Sequence, residues 1–387
     1  MPGRQSVILT FERMRRIREI DPVGNSMTME AGCSLQEARE AAELAGRLLG
    51  IDHGGRSSHI GGNLSTNAGG NNVLRYGMAR EQVLGLEVVL ANGEILSELS
   101  PLPKNNSGYD LKQLFIGSEG TLGLITAACL KLRQKSARRV TACVGLDSLG
   151  DVMSLFALAR EVLADSISAF ELMPRAGLDF HFAHIGERHE PFDTITPWII
   201  LLEAESASSH FELDPAVASL LEEALRRGLV RDGTIAASDS QRARLWALRE
   251  GIPIAMIENP HSLKSDTAVP ISAIPVFVER AYAAVTAAMP GCIAIPFGHV
   301  GDGNIHLNVL PPPSMAYADF VQRKSELARL INAVTLSLNG TVSAEHGIGL
   351  LKRSSLAEMK SYPALVTMQA IKTALDPLEI LNPRKIF

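Results

Sequence analysis

The chain is organised around the stretch Pro296–Asn308, which reads PFGHVGDGNIHLN. His299 and His306 lie seven residues apart, and between them glycine, aspartate and asparagine predominate. These residue types accept the backbone conformations of tight turns, so the chain can reverse here and aim both imidazoles at one point. The stretch therefore predicts a site built on two histidines.

A second glycine-bounded segment, Gly340–Gly349, reads GTVSAEHGIG and carries Glu345 and His346. Two imidazoles and a carboxylate form a mixed nitrogen and oxygen ligand set that suits zinc or another divalent transition metal, with one position open for a substrate. We take His299, His306 and Glu345 as the candidate ligands. Each histidine alone is equally consistent with an ordinary hydrogen-bonding loop residue.

Length and composition bound the class of protein. The chain has 387 residues, 46% of them hydrophobic and 20% charged, which predicts two or more packed domains. A net charge of -5, with 5% aromatic residues and no long basic cluster, argues against nucleic acid as the main partner. We expect no transmembrane segment, because no apolar run approaches the length of a membrane span.

The cysteines and the N-terminus bear on location. Four cysteines are widely spaced, without the pairing typical of metal or redox motifs: Cys33, Cys129, Cys143 and Cys292. They are expected to be reduced core residues in a reducing compartment. The N-terminus has no apolar leader, so we expect a cytoplasmic protein.

Local patterns predict strands and helices along the chain. Residues 6–10 and 28–31 are expected to be strands, and Ser34 with Glu37 forms a capping box for a helix that runs to Gly50. Residues 83–90 and 95–96 are expected to form a hairpin around a turn at Asn92-Gly93. Further helices are predicted by apolar periodicity at 149–163, 215–227, 326–338 and 363–375.

Two glycine-rich stretches are candidates for holding a cofactor. Residues 60–72 read IGGNLSTNAGGNN, and their backbone N–H groups are left uncovered so that a phosphate or a ring system can approach. Residues 117–123 read GSEGTLG and enter a strand that is expected to run to about residue 132. An irregular surface loop and a plain tight turn are the respective alternatives.

Taken together, these motifs resemble one family. The two glycine stretches, Arg75-Tyr76-Gly77, the His299 and His306 stretch, Glu345-His346-Gly347 and Leu381-Asn382-Pro383 occur in the order found in the FAD-linked D-2-hydroxyacid dehydrogenases. That group includes D-lactate, glycolate and D-2-hydroxyglutarate dehydrogenases and has the vanillyl-alcohol-oxidase type of flavin domain. The resemblance extends from about residue 6 to residue 387.

The resemblance implies an α+β fold with an FAD-binding domain at residues 1–137. A substrate domain, with an antiparallel sheet flanked by helices, is expected at 138–338, and residues 339–387 are expected to return to the flavin. The implied FAD contacts are Gly61, Gly62, Asn63, Thr66, Asn67, Gly69, Gly70, Gly117, Glu119, Gly120, Gly123, Ile125 and Asn382.

The resemblance also implies a reaction, the oxidation of a D-2-hydroxy acid to the 2-oxo acid with transfer of hydride to the flavin. Arg249 and Lys264 match positions that contact the substrate carboxylate, and a guanidinium suits two-point binding of such a group. The pair would suit a dicarboxylate such as 2-hydroxyglutarate, and D-lactate is the other candidate substrate. His346 is the candidate general base, although an exchange of roles with a ligand histidine stays open.

Asn308 lies two residues after His306 and, on a strand, would point to the same side. Its amide is therefore a candidate substrate contact, and a buried structural amide is the alternative. A metal-dependent hydrolase using the same histidines and carboxylate is a rival function, but it leaves both glycine stretches without a role.

Family members carry, before the strand matched to residues 6–10, a glycine-rich subdomain that wraps the FAD pyrophosphate. This chain is expected to lack it, which makes a truncated, partner-dependent or inactive subunit the alternative function. No nicotinamide fingerprint is found, so a quinone or an electron-transfer protein is the expected electron acceptor. The expected assembly is a homo-oligomer.

Overall fold

The computed structural model describes residues 7–53, 55–259 and 261–387. The chain divides into two compact units, one formed by Met1–Lys135 with Glu345–Phe387 and the other by Ser136–Ala344. The sequence places the corresponding boundaries after residues 137 and 338. The chain thus leaves the first unit once and returns to it for its last segment.

The first unit is built on an antiparallel sheet. Its strands follow the path β1-β2-β6-β4-β5, and β3 pairs with β6. The strand bounds are β1 Ile17–Asp21, β2 Ser26–Glu30, β3 Arg47–Leu49, β4 Val83–Val89, β5 Ile95–Glu98 and β6 Leu124–Gln134. β6 is central and long, and six of its residues in succession are buried. This sheet carries the first of the cores.

Short helices connect these strands and complete the unit. They are α1 Leu35–Leu44, α2 Ile60–Ser65, α3 Val73–Tyr76, α4 Ala79–Gln82 and α5 Lys112–Phe115, followed near the C-terminus by α12 Arg353–Met359 and α13 Tyr362–Leu375. The buried ammonium of Lys372 on α13 donates to the Thr121 carbonyl at 2.8 Å and is paired with Asp376. This contact fixes the C-terminal segment within the first unit.

Two predictions for this unit need correction, and one alternative is excluded in part. Val7–Thr10 form no strand, and Ser6 lies outside the described residues. α1 has the predicted capping box of Ser34 and Glu37, but it ends at Leu44, because Gly46 takes a φ of 69° and the chain turns into β3. The irregular surface loop that was the alternative for residues 60–72 does not hold for the first half of the stretch, which forms α2.

The second unit contains a larger antiparallel sheet with the strand order β10-β7-β9-β8-β12-β13-β11. Its strands are β7 Arg138–Leu146, β8 Ile167–Pro174, β9 Trp198–Ser206, β10 Asp232–Ile235, β11 Thr267–Ala268, β12 Ile293–His299 and β13 Asn304–Leu310. β8 and β9 are almost wholly buried, as expected of central strands covered on both faces.

In the described part of this unit the sheet is accompanied by the α-helices α6 Leu149–Leu163, α7 Arg175–Ile185, α8 Leu213–Arg226, α9 Asp239–Glu258, α10 Ile274–Ala288 and α11 Tyr317–Ser337. α6 has the predicted bounds, whereas α11 begins well before the predicted residue 326. α7 and α9 contribute Leu178, Phe182, Leu245 and Ile252 to a core that also includes Ile295 and Phe297 of β12. This core underlies the site described below.

Among the described residues, one stretch is long and apolar enough to cross a membrane by length and composition alone. It is Ile271–Ala288, with a mean hydropathy of 1.3, and it contains α10. The expectation that no segment reaches such a length therefore does not hold for it. In the structure Phe277, Val278 and Ala281 of this helix are buried, and α10 packs against α11.

Candidate active site

Both histidines of the organising stretch lie on one hairpin of the second unit. β12 and β13 pair so that Phe297 opposes His306 and His299 opposes Asn304. The reversal depends on Gly303, whose φ of 80° is unfavourable for other residues and whose side-chain position is filled by the Val269 carbonyl. The two imidazole centroids are 6.2 Å apart, with ring planes inclined by 77°. The predicted turn is confirmed, and it brings the two rings close together.

His299 is held by a carboxylate on the adjacent strand. Its partner in the β8–β12 register is Glu171, and directly opposed residues of an antiparallel pair point to the same face. The His299 Nδ1 atom lies 2.7 Å from Glu171 Oε1, and both side chains are almost fully buried. Because an ionised carboxylate only accepts hydrogen bonds, Nδ1 carries the hydrogen and Nε2 is directed away from Glu171.

The second oxygen of Glu171 binds the substrate-binding candidate Arg249. The Arg249 Nε donates to Glu171 Oε2 at 2.8 Å, and the guanidinium carbon lies 5.2 Å from the centre of the Phe297 ring. Arg249 is 5% exposed, so it is a buried residue of its helix and not one on the solvated face. It comes from α9, whereas its two neighbours come from β8 and β12.

This arrangement moves the pKa values of the buried groups. Burial disfavours protonation of His299, but the charge and hydrogen bond of Glu171 outweigh it and raise the pKa of His299 to about 9. Burial would raise the pKa of Glu171, but the charges of His299 and Arg249 bring that pKa below its usual range. Burial and the charges of His299 and Arg249 lower the pKa of His306 to about 4. His306 is therefore a neutral imidazole near neutral pH.

His306 is oriented by the backbone of the neighbouring segment. Its Nδ1 lies 3.1 Å from the Ser265 carbonyl oxygen, so the Nδ1 hydrogen is donated and Nε2 keeps its lone pair. Ser265 is itself fixed, since its N–H donates to Asn308 Oδ1 at 3.0 Å and its hydroxyl donates to the Leu307 carbonyl at 3.0 Å. Asn308 is 4% exposed and anchors this segment through its amide oxygen.

Lys264, which precedes Ser265, is exposed at the edge of this group. Its charge acts on Lys324 of α11, because burial and the proximity of Lys264 both lower the pKa of Lys324. The Lys324 ammonium lies 5.2 Å from the centre of the Phe320 ring and 5.6 Å from that of Tyr317. The second unit thus presents two neighbouring ammonium groups, of which Lys264 directly precedes the backbone partner of His306.

The remaining candidates belong to the first unit. Glu345 follows Ala344, the last residue of the second unit, and its carboxylate packs against Gly69, where an added Cβ would lie 2.6 Å from Glu345 Oε1. His346 is exposed. Downstream, Glu119 accepts from the N–H groups of Ile348 and Gly349 at 2.6 and 2.8 Å. Glu119 therefore fixes the segment that carries Glu345 and His346.

Protein packing accounts for part of the glycine stretches. A Cβ on Gly61 would lie 2.7 Å from the Cβ of Ala31, and one on Gly70 would lie 2.1 Å from the Asp52 carbonyl oxygen. A Cβ on Gly123 would meet Val88 at 2.5 Å, and Gly117 takes a φ of 76° beside Arg80. These glycines allow close contacts within the unit, whatever they do for a ligand.

Other members of the stretches are placed to receive a cofactor. A Cβ on Gly62 or Gly120 would meet no atom within 4 Å, and the buried amide nitrogen of Asn63 has no hydrogen-bond partner among the described residues. Such an orphaned donor beside open backbone fits a polar cofactor such as FAD. The side chains of Thr66, Asn67 and Asn382 bond to backbone groups of the same unit, and Ile125 is buried in β6.

Sequence reasoning missed Glu171, Ser265 and Lys324. Glu171 had one available signal, because it is the only charged residue in the mostly apolar strand β8, and a buried carboxylate there must have partners. Ser265 acts through its backbone carbonyl, and every residue has such a group, so its residue type gave no signal. Lys324 lies on a helix whose periodicity shows only which face is buried.

Comparisons with known proteins agree with this architecture. Residues 135–386 match the C-terminal domain of FAD linked oxidases, and residues 2–98 match an FAD binding domain. Among solved structures, p-cresol methylhydroxylase with substrate bound has a TM-score of 0.74 at 14% identity, covering 97% of this chain and 78% of that one. Alkyldihydroxyacetonephosphate synthase has a TM-score of 0.67 at 16% identity, covering 97% of this chain and 66% of that one.

Curated relatives are similar over nearly the whole chain. D-2-hydroxyglutarate dehydrogenase of Xanthomonas citri pv. viticola is 38% identical, with 98% of this chain and 79% of the relative covered. The Stutzerimonas stutzeri enzyme of the same name is 34% identical, with coverage of 98% and 81%. The mitochondrial D-2-hydroxyglutarate dehydrogenase of Danio rerio is 36% identical, with coverage of 100% and 70%.

The two domain matches and the fold define an FAD-linked oxidoreductase of the vanillyl-alcohol-oxidase type, with an α+β architecture. The sequence identities to the curated relatives, over nearly the whole chain, identify the family within this class. This chain belongs to the FAD-linked D-2-hydroxyacid dehydrogenase family. The resemblance inferred from the sequence motifs is confirmed.

Proposed function

We propose that this protein oxidises D-2-hydroxyglutarate to 2-oxoglutarate, and that a divalent metal held by His299, His306 and Glu345 takes part. The names of the curated relatives support the substrate. The observation that supports the metal is the orientation of the two imidazoles: the Nδ1 atom of each ring bonds to an acceptor, Glu171 or the Ser265 carbonyl, so Nε2 points away from that acceptor.

The donor set fits zinc. Two imidazole nitrogens and one carboxylate are a common catalytic zinc set that leaves a position for the substrate, and His299 would release its Nε2 proton when the metal binds. When bound, the metal would polarise the substrate hydroxyl and lower its pKa, and FAD would accept the hydride. Glu345, the carboxylate candidate from the sequence, would be the third ligand of this set.

The charged residues account for a substrate with two carboxylates. Arg249 is held through its Nε by Glu171, and its two terminal nitrogens would bind the carboxylate next to the reacting carbon. Lys264 and Lys324 would bind the distal carboxylate as mobile point charges. D-Lactate has no distal carboxylate, and so would gain nothing from the two lysines.

His346 is assigned as the general base. In the reaction the C2–H bond breaks and its electron pair leaves as hydride, while the hydroxyl proton passes to His346 and the C2–O bond becomes a carbonyl. An imidazole suits this role because its ordinary pKa lies near neutrality. The reduced flavin must then pass two electrons to an acceptor, for which we propose a quinone or an electron-transfer protein.

The proposal is tested on protein loaded with FAD and zinc. D-2-Hydroxyglutarate should bleach the visible flavin band, D-lactate should bleach it more slowly, and L-2-hydroxyglutarate should leave it unchanged. A chelator should abolish the bleaching and added Zn²⁺ should restore it. His210→Ala is a control, since His210 is exposed and lies far along the chain from the hairpin.

Each part of the proposal can fail separately. Equal rates with D-lactate and D-2-hydroxyglutarate would overturn the substrate assignment. Full activity after complete removal of divalent metal, or in the His306→Ala variant, would overturn the metal site.

A further inference from the structure

The residues proposed to hold the metal and the substrate share one buried partner, Glu171. One carboxylate oxygen accepts from His299 and the other accepts from Arg249, at 2.7 and 2.8 Å. These partners come from different elements, a strand and a helix, and Glu171 itself lies on a third. A single side chain therefore sets the position of two groups that are far apart in the sequence.

Packing alone does not explain a carboxylate at this position. The neighbouring residues on the same face of β8, Ala169 and Met173, belong to the apolar core, and Glu171 is 1% exposed. Burying a charged carboxylate is costly unless partners compensate for it, and apolar residues of similar volume are often as stable as a buried ion pair. Stability alone therefore does not require a charged residue at position 171, because a Leu or Met would fill the same space.

We propose that Glu171 is a positioning residue for both halves of the site, fixing the imidazole of His299 for the metal and the guanidinium of Arg249 for the substrate carboxylate. This inference rests on the proposed function. Glu171 does not touch metal, flavin or substrate in this scheme and acts only through its two partners.

The first half of the proposal concerns His299. The bond from Nδ1 fixes which nitrogen faces the metal and how the ring is turned about its last torsion. Loss of such an outer partner typically costs 10–100-fold in metal affinity. We expect a weakening of Zn²⁺ binding by about 10-fold or more when the two oxygens of Glu171 are displaced.

The second half concerns Arg249. Its guanidinium is fixed between the Glu171 carboxylate and the face of the Phe297 ring, 5.2 Å from the ring centre. Two-point binding of a substrate carboxylate depends on the plane of the guanidinium, which the bond through Nε sets. Displacing Glu171 should therefore raise KM by roughly 10-fold through loss of this alignment.

The chain offers a matched control in Glu203. It lies on β9, the strand adjacent to β8, is 4% exposed, and binds Arg242, seven residues before Arg249 on α9. Its other donors are Thr141 and the Trp246 indole, which the site does not use. Glu203→Gln should disturb the core to a similar degree but leave both Zn²⁺ affinity and KM within about 2-fold of wild type.

The test compares Glu171→Asp, Glu171→Gln and Glu203→Gln in FAD-loaded protein. Asp keeps the charge, but it is one methylene shorter and cannot reach both partners, so it separates position from charge. Zn²⁺ affinity is measured by competition with a chromophoric chelator, and KM and kcat by flavin reduction. We expect both Glu171 variants to lose Zn²⁺ affinity and to raise KM, each by about 10-fold.

A double variant shows whether the KM effect passes through Arg249. In an Arg249→Lys background the guanidinium is absent, so adding Glu171→Asp should raise KM by less than 3-fold, while Zn²⁺ affinity still falls about 10-fold. If Glu171→Asp raised KM by the same factor in the wild-type and the Arg249→Lys backgrounds, Glu171 would not act through Arg249. Wild-type values of Zn²⁺ affinity and KM in Glu171→Asp would overturn the whole inference.

A measurement on the unaltered protein covers the case in which the variants fold poorly. Nitrogen NMR of zinc-loaded protein, labelled at histidine, should show His299 with its hydrogen on Nδ1; a hydrogen on Nε2 would overturn the inference. If wild-type protein binds no Zn²⁺, the proposed metal site fails and the inference fails with it. If wild type binds Zn²⁺ and only the Glu171 effects are missing, the proposed function stands and the inference alone fails.

Discussion

Two buried carboxylates on neighbouring strands of the second unit each pair with an arginine of α9, yet only one of them is connected to the candidate site. Glu203 accepts from Arg242, Trp246 and Thr141, all of which are structural residues. Glu171 accepts from Arg249 and from His299. The comparison teaches that a buried ion pair does not by itself indicate function. What distinguishes Glu171 is its second donor, His299, because an imidazole that is held at Nδ1 can still direct Nε2 towards a ligand.

The largest effect should come from the histidine that Glu171 does not touch. His306→Ala removes a candidate ligand and should lower kcat/KM by about 1,000-fold, which corresponds to about 4 kcal/mol of transition-state stabilisation. Because His306 is not part of either carboxylate cluster, the unfolding midpoint should change less than in Glu203→Gln. Flavin reduction and urea unfolding measure the two quantities. A loss of stability without a loss of activity would reverse the proposed division between structural and functional clusters.

The next effect concerns stability alone. Glu203→Gln removes the charge that compensates the half-buried Arg242, and should lower the free energy of unfolding by about 3 kcal/mol, the lower end for breaking a buried pair. Urea unfolding followed by circular dichroism measures this change. The activity of the folded fraction should stay the same. A large fall in kcat would place Glu203 in the site and erase the contrast with Glu171.

The pH dependence of that stability sharpens the comparison further. Burial would raise the pKa of Glu203, but the hydrogen bond and charge of Arg242 lower it below its ordinary value of 4.5. A carboxyl with a lowered pKa stabilises the fold above the unfolded-state pKa and loses this contribution as pH falls through the folded-state pKa. The stability difference between wild type and Glu203→Gln should therefore be full above pH 4.5 and shrink below it. A difference independent of pH would show that the charge of Glu203 is not what stabilises the cluster.

The smallest effect should occur at the exposed edge. Lys324→Met should raise KM for D-2-hydroxyglutarate by about 5-fold, or about 1 kcal/mol, because charges near the surface are screened. KM for D-lactate, which has no distal carboxylate, should not change. The effect should weaken as salt is added. Equal changes for both substrates would assign Lys324 to the fold and not to substrate selection.

Much of the site could be predicted from the sequence because its residues are local and chemically distinctive. The reversal of the chain between His299 and His306 followed from the turn-forming residues that separate them, and the structure confirms it. Glu171 was not predicted, because its role depends on the register of β8 against β12, which joins residues 128 positions apart. Such a pairing is a property of the whole sheet.

The first unit shows the opposite difficulty. Glycine suggested a site for a ligand wherever it clustered, but Gly61, Gly70 and Gly123 are also required by close packing within the protein. Only the structure separates these from Gly62 and Gly120, which face open space. Likewise, the apolar residues 6–10 suggested a strand, but Val7–Thr10 pair with no neighbour in the described sheet. A β-strand forms only where a neighbouring strand pairs with it, and the residue types of a segment do not show whether such a neighbour exists.

The hairpin of β12 and β13 also has a consequence for the dynamics of the protein. It lies inside the larger sheet, between β8 and β11, so its amides should exchange hydrogen only when that sheet opens. His299 and His306 are then parts of one cooperative opening unit and cannot separate by local fluctuation. Two of the three candidate metal ligands are thus preorganised by an interior part of this sheet, and a bound ion would slow its opening still further.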